Sequence, residues 1–363
     1  MKNIKLVLIV LLSVAGITYG QSIKVGVVLP LTGALSEYGN GCLNGMKLAA
    51  DELVMEDKHI ILSVEDDSGN PSASASAVRK LFYGGCKIIV GPLTSSAVMA
   101  VARLIDSLNV PLIAPAATAP SVTIMSSRIY RLCYSDTMQG KGMAEFIRYA
   151  MGKTKAGVLL DYDNIYSKEL ASAFEKRFQE INGEIAKEAV YTSGDTDFRT
   201  QLQALIVKNV DCIFVASYYK EAENIIKQAA QLGITCPLMG GDGWDSQELI
   251  NMTKEYNGFY FYSSHFFKND VKAKKFRNSY MNATSMEPTS FGALGYDAIR
   301  LIGTLKLNDT TSAGIRDELR KVDNFTGVTG KVSFKNGRDP VKEVTILRFF
   351  KGNSSLQQKF IPK

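Results

Sequence analysis

Any chemistry in this chain must come from hydroxyls, tyrosines and carboxylates, because its 363 residues include only two histidines, His59 and His265, and five cysteines. Two histidines cannot build a multi-histidine metal site, and no zinc-like cysteine spacing occurs. The residues worth weighing gather in short segments. These are Pro30-Leu31-Thr32-Gly33 followed by Tyr38-Gly39, Gly91-Pro92-Leu93-Thr94-Ser95-Ser96, and Pro115-Ala116-Ala117-Thr118-Ala119-Pro120. In the second half they are Asp161 to Tyr166, Ser217-Tyr218-Tyr219 and Gly240-Gly241-Asp242-Gly243-Trp244. Ser95 precedes a helical stretch, where its hydroxyl and the free N–H groups of a first turn make a seat for a carboxylate. Each residue alone has a plainer reading: an N-cap for Ser95 or Ser96, a turn for Thr118, an Asx-turn for Asp242. In combination they place an anion seat in one half, a carboxylate in the other and tyrosines between, which suits a zwitterion such as an α-amino acid.

The elements that must position these segments alternate. Strands are expected at Ile23 to Leu29, Ile60 to Val64, Ile88 to Val90 and Pro111 to Ala114, separated by helices at Asn44 to Leu53, Pro71 to Phe82 and Ser96 to Leu108. The pattern restarts with strands at Ala156 to Leu160, Ile185 to Tyr191, Ile213 to Ala216, Leu238-Met239 and Gly258 to Tyr262, and helices at Ser167 to Ile181, Phe198 to Val207 and Glu221 to Leu232. Helices at Val271 to Tyr280, Phe291 to Leu305 and Ser312 to Val322 follow, then β structure at Lys331 to Phe334 and Glu343 to Phe350. Two successive βα halves predict an α/β protein of two doubly wound parallel-sheet lobes, in which ligands meet the loops at the carboxyl ends of the strands.

The first twenty residues read as a signal peptide: Lys2 and Lys5, an apolar run from Leu6 to Val14, and small residues Thr18 and Gly20 ahead of cleavage before Gln21. No later segment is apolar for about 18 residues, so the mature chain should be soluble, periplasmic or otherwise exported. With 46% hydrophobic and 21% charged residues the chain has the composition of a folded globular protein. Its formal charge of +6, reduced by the two lysines of the signal, does not imply nucleic acid, and the basic run Val271 to Arg277 reads as a solvated helix face. Most of Cys42, Cys86, Cys133, Cys212 and Cys236 should be buried free thiols. A bridge between Cys212 and Cys236, each near the start of a predicted strand, stays open as an alternative. Five Asn-x-Ser/Thr sequons, at Asn251, Asn282, Asn308, Asn324 and Asn353, would permit glycosylation in a eukaryotic secretory path.

The ordered set Ile23-Lys24-Val25-Gly26, Pro30-Leu31-Thr32-Gly33, Asp66-Asp67, Ser95-Ser96, Pro115 to Pro120, Tyr218-Tyr219, Gly240 to Gly243 and Tyr296-Asp297-Ala298 carries a resemblance. The chain resembles the leucine/isoleucine/valine-binding proteins, periplasmic receptors of ABC importers with the type I periplasmic-binding-protein fold, over Ile23 to Gly352. The resemblance implies that Ser95, Ala116 and Thr118 hold a ligand's α-carboxylate and share in its amine. It implies that Asp242, where the best-known members carry glutamate, pairs with the α-ammonium, and that Tyr38, Tyr166 and Tyr218 line the cleft. A disulfide near the cleft in well-known relatives is missing, since Gly69 and Thr94 occupy its positions.

Competing chemistries fit less well. Gly39-x-Gly41-x-x-x-Gly45 resembles a phosphate-binding pattern but lies too far beyond the first strand. A hydrolase built on Ser95 or Ser96 lacks a Gly-x-Ser-x-Gly turn, and His59 falls at the wrong end of the sheet. Other binding functions on the same fold remain alternatives: receptors or sensors for short amides, urea-like ligands or aromatic acids. The expectation is a non-enzymatic, monomeric receptor with no cofactor or metal. It would take an aliphatic, branched-chain amino acid and pass it to a membrane permease driven by an ATPase. Lobe 1 is expected to comprise residues 21–135 and 266–340, and lobe 2 residues 136–265 and 341–363, joined by a three-crossing hinge.

Overall fold

Ile23–Leu29 (β1) is buried along most of its length, as a parallel strand covered on both faces requires of a continuous apolar run. It lies inside the first of two large sheets in the computed structural model, which describes residues 22–363; the expected signal peptide lies outside the described residues. The chain continues through Ser36–Val54 (α1), Ile60–Asp66 (β2), Pro71–Tyr83 (α2), Ile88–Val90 (β3), Ser95–Leu108 (α3), Leu112–Ala114 (β4), Ser121–Ile124 (α4) and Ile129–Arg131 (β5). These strands form a wholly parallel sheet in the order β2-β1-β3-β4-β5.

The chain then leaves that sheet. Asp136–Glu145 (α5), prolonged by a π-helical turn at Phe146–Ala150, leads to Lys155–Asp161 (β6), Ile165–Glu180 (α6), Glu184–Tyr191 (β7), Arg199–Ile206 (α7), Cys212–Ala216 (β8), Tyr219–Gln231 (α8) and Leu238–Gly240 (β9). A 3₁₀ turn at Asp242–Trp244 precedes Gln247–Met252 (α9) and Tyr260–Ser264 (β10). The path returns to the first half through Lys274–Thr284 (α10), Ser290–Thr304 (α11), Ser312–Lys321 (α12) and the hairpin of Phe325–Gly327 (β11) with Gly330–Val332 (β12). It ends in Val344–Phe350 (β13) and Asn353–Phe360 (β14), antiparallel strands that complete a second sheet ordered β14-β13-β10-β9-β8-β6-β7. The chain thus passes between the sheets three times: after β5, after β10 and before β13. The arrangement is the type I periplasmic-binding-protein fold.

Each parallel sheet reverses its winding at its first strand, between β1 and β3 in one and β6 and β8 in the other. Ligand crevices form where winding reverses, at the carboxyl ends of the strands. The loops after β1, β3 and β4 thereby face those after β6, β8 and β9.

Two local expectations needed correction. Helix α1 begins at Ser36, eight residues earlier than its apolar spacing starts at Asn44. It contains Gly39 and Gly45, where a Cβ would overlap the carbonyl oxygens of Pro30 and of Gly292 in α11. The glycines let two helices and a strand end approach one another, which excludes the phosphate-binding reading. The Cys212–Cys236 bridge does not form: all five cysteines are free, and the pairing of Ile213 with Leu238 offsets the two thiols along neighbouring strands. Among the described residues, no helix is long and apolar enough to cross a membrane.

Candidate functional site

Helix α3 supplies one wall. Its cap is Thr94, whose hydroxyl accepts from Ala97 N at 3.4 Å, so the N-cap reading of Ser95 gives way. Ser95 is the first helical residue and is buried; its Oγ accepts from Ala119 N at 3.1 Å. That bond ties the α3 terminus to the loop carrying Ala116 and Thr118. Buried Arg131 fixes the same loop from behind, donating to the carbonyl of Thr118 and, at 2.8 Å, to that of Ala119, while its Nε meets Asp339 at 2.8 Å. Beside the capped Ala97 N, the N–H groups of Ser95 and Ser96 find no acceptor among the described residues, and they carry the positive end of the helix dipole. A helix start of this kind can receive negative charge.

Asp242 forms the other wall and makes no Asx-turn. Its Oδ1 accepts from Gln139 Nε2 at 3.0 Å, and its Oδ2 lies 3.0 Å from His265 Nε2. Gln139 also accepts from Asp242 N at 3.0 Å and from Ser263 Oγ at 2.7 Å, so one amide side chain sets both the backbone and the carboxylate of Asp242. A second carboxylate, Asp136, reaches the same amide at 2.5 Å and leaves its other oxygen buried without a partner. Burial and the neighbouring charge of Asp242 push the Asp136 carboxyl well above the usual range. Burial also lowers the pKa of His265.

Three tyrosines stand between the walls. Tyr166 stacks on Tyr218, with ring centroids 5.1 Å apart at 9°, and its hydroxyl accepts from Gly243 N at 3.0 Å. Tyr38, from α1, spans the two sheets: its hydroxyl donates to the Gly243 carbonyl and accepts from Tyr219 N at 3.1 Å. The cavity between them is small, about 20 Å³ as the side chains stand. All seven residues singled out from the sequence (Tyr38, Ser95, Ala116, Thr118, Tyr166, Tyr218 and Asp242) border it, together with Leu93 and Phe291. Phe291 stacks on Tyr38 at 4.0 Å, making an apolar corner.

Further contacts join the two halves beside the cavity. Glu37 accepts from Gln247 N at 2.7 Å, from Glu248 N at 3.3 Å and from the Ser246 hydroxyl. Asp245 accepts from Ser264 Oγ at 2.6 Å and from Ser290 N at 3.2 Å. Sequence reasoning missed Gln139, Asp136, Arg131, Glu37 and Phe291, gave Leu93 no role of its own within its loop, and assigned none to His265. His59 lies at the opposite end of β2, where its carbonyl pairs with Ile23 N at 2.9 Å. No cluster of His, Cys, Asp and Glu suited to a metal occurs among the described residues.

The cavity thus lies where the two sheets meet, with the start of α3 on one side and the Asp242 carboxylate on the other. The family model for periplasmic binding proteins matches residues 22–353, and the chain belongs to that family. Its relatives include the leucine/isoleucine/valine-binding members. A leucine binding protein from Thermotoga maritima superposes with a TM-score of 0.87 at 30% identity, over 94% of this chain and 99% of that one. A branched-chain amino acid transporter substrate binding protein from Streptococcus pneumoniae, solved with isoleucine, has a TM-score of 0.87 at 29% identity and the same coverage. A leucine-, isoleucine-, valine-, threonine- and alanine-binding protein of Pseudomonas aeruginosa is 25% identical over 333 residues, 88% of this chain and 87% of its own. The family consists of solute-binding receptors of ABC transporters rather than enzymes. Its members take small ligands and work with a permease and an ATPase.

Proposed function

We propose that this protein, exported after removal of its signal peptide, binds an aliphatic, branched-chain α-amino acid between lobe 1 (residues 21–135 and 266–340) and lobe 2 (residues 136–265 and 341–363). The lobes close about the three crossings, and the closed monomer delivers the ligand to a membrane permease. Ser95, Thr118 and the α3 terminus take the carboxylate, with Ala116 beside them. Asp242 takes the ammonium, and Tyr38, Tyr166 and Tyr218 wall the ligand in. The observation that carries this reading is the pairing, across one small cavity, of a helix start with the buried carboxylate of Asp242. Leu93 and Phe291 supply apolar surface for the side chain. An aromatic or organic acid lacking an amine would leave Asp242 without a counter-charge in a desolvated space.

The test is differential scanning fluorimetry of protein stripped of carried ligand by unfolding and refolding, against the twenty amino acids. A ligand at about 1,000 times Kd stabilises the folded form by about 4 kcal/mol. Leucine, isoleucine or valine should therefore raise the melting temperature by several degrees. The absence of a shift with any amino acid would overturn the reading.

A further inference from the structure

Resting on the amino-acid reading above, we infer that His265 is a positioning residue for the ligand-binding carboxylate and that its proton competes with the ligand's ammonium for Asp242. The geometry is direct. His265 follows β10 at the second passage between the sheets, is buried, and places Nε2 3.0 Å from Asp242 Oδ2. Its ring lies on Tyr134 with centroids 3.8 Å apart, and its Nδ1 is buried without a hydrogen-bond partner.

A neutral imidazole accounts for this arrangement. Nε2–H donates to Asp242, and Nδ1 is left as a bare lone pair, a smaller cost than a buried N–H with no acceptor in a charged ring. Gln139, the other donor to Asp242, is also neutral. Two neutral donors orient the carboxylate and leave its charge for an ammonium. A proton on His265 converts the pair into an imidazolium beside a carboxylate, and the charge that would hold the ligand is then met from within the protein.

The groups around the pair set the direction. Asp242 faces Asp136 from α5, Tyr166 from α6, Tyr218 from the start of α8, and Cys133 and Tyr134 from the first crossing. His265 faces Asp242, Asp245 and, from the third crossing, Lys342, whose charge opposes a second positive charge. Burial, the leading effect, keeps His265 below its ordinary value, so its proton arrives only below about pH 6.5. A bound ammonium lowers that value further, and binding in this range must therefore release protons. The ligand's own carboxylate and ammonium do not titrate there. Asp136 is a second candidate for acid sensitivity, because protonating it also removes negative charge beside Asp242.

The experiment is calorimetry with L-leucine on ligand-stripped protein at steps from pH 8 to pH 5, in paired buffers of different ionisation enthalpy, for the parent, His265→Asn and Asp136→Asn. The parent should lose affinity by at least about fivefold towards pH 5 and release a fraction of a proton on binding near pH 6. His265→Asn, which keeps a neutral donor that cannot titrate, should bind more weakly at pH 8, with a flat profile and no His-linked proton release. Asp136→Asn should keep the slope. A parent profile without slope, or a slope that survives in His265→Asn and vanishes in Asp136→Asn, overturns the inference and leaves the amino-acid reading intact. Failure of leucine to bind at every pH overturns both.

Discussion

Glu37 offers a direct measure of how closure is coupled to binding. Its half-buried carboxylate leaves α1 in the first half and accepts three donors at the start of α9 in the second, among them Gln247 N at 2.7 Å and Glu248 N at 3.3 Å. A hydrogen bond to a charged group contributes about 1.5–3 kcal/mol net. Burial penalises this carboxylate, since desolvation raises its pKa against the lowering effect of its donors. A net value near one such bond, about 2 kcal/mol, is a reasonable total. If the contact exists only in the closed form, Glu37→Ala should weaken leucine binding roughly thirtyfold by calorimetry. In the open, ligand-free protein the same side chain meets water. Its loss should then alter stability by no more than about 0.5 kcal/mol, as at an ordinary surface site. An affinity within about threefold of the parent would refute the coupling. So would a loss of ligand-free stability as large as the loss of binding, which would make the contact a permanent interface.

Two further outcomes follow from buried titratable groups. Burial raises the thiols of Cys42 and Cys133, so the stability they support is intact below about pH 8.5 and is lost as pH rises and only the unfolded chain ionises. Urea titrations above about pH 9 should show about 1.4 kcal/mol lost per pH unit for each thiol, and Cys42→Ala should remove one such share; a slope unchanged in the variant would contradict this. Asp136, raised by burial and by Asp242, contributes stability below about pH 4 and loses it as pH rises. Asp136→Asn should therefore raise the melting temperature by a few degrees at pH 7 and little at pH 4, and a lowered value at pH 7 would show that this carboxyl supports the fold.

The sequence made legible what local pattern encodes. Strands such as β3 and β8 announce themselves because parallel strands covered on both faces are continuous apolar runs. Helix α5 was not read because Asp-Thr-Met-Gln-Gly-Lys-Gly-Met-Ala-Glu has two glycines and no apolar stripe, and tertiary packing against α6 holds it instead. Strand β14 went unread because it is a largely exposed edge of polar residues paired only with β13. Of the seven cavity residues, Ser95, Thr118 and Asp242 drew attention by standing in loops at strand ends or at a helix start, while the individual places of Tyr38, Ala116, Tyr166 and Tyr218 came from the resemblance to the leucine/isoleucine/valine-binding proteins. Gln139 and His265 could not, because they meet Asp242 across 103 and 23 residues through two different passages between the sheets. Glu37 precedes the expected helix start at Asn44, and only the fold puts it in α1 and brings α9 to it.

The amino-acid reading requires recognition of both ends of the ligand, and calorimetry on ligand-stripped protein with leucine, isovalerate and leucinamide tests that requirement most directly. Isovalerate keeps a carboxylate for Ser95 and Thr118 but strands Asp242; leucinamide keeps the ammonium but brings no negative charge to the start of α3. Each buried group left unpaired costs about 1–3 kcal/mol or more, so leucine should bind at least roughly tenfold tighter than either analogue. Isovalerate binding as tightly as leucine would show that Asp242 meets no amine, and leucinamide binding more tightly would make the protein an amide receptor.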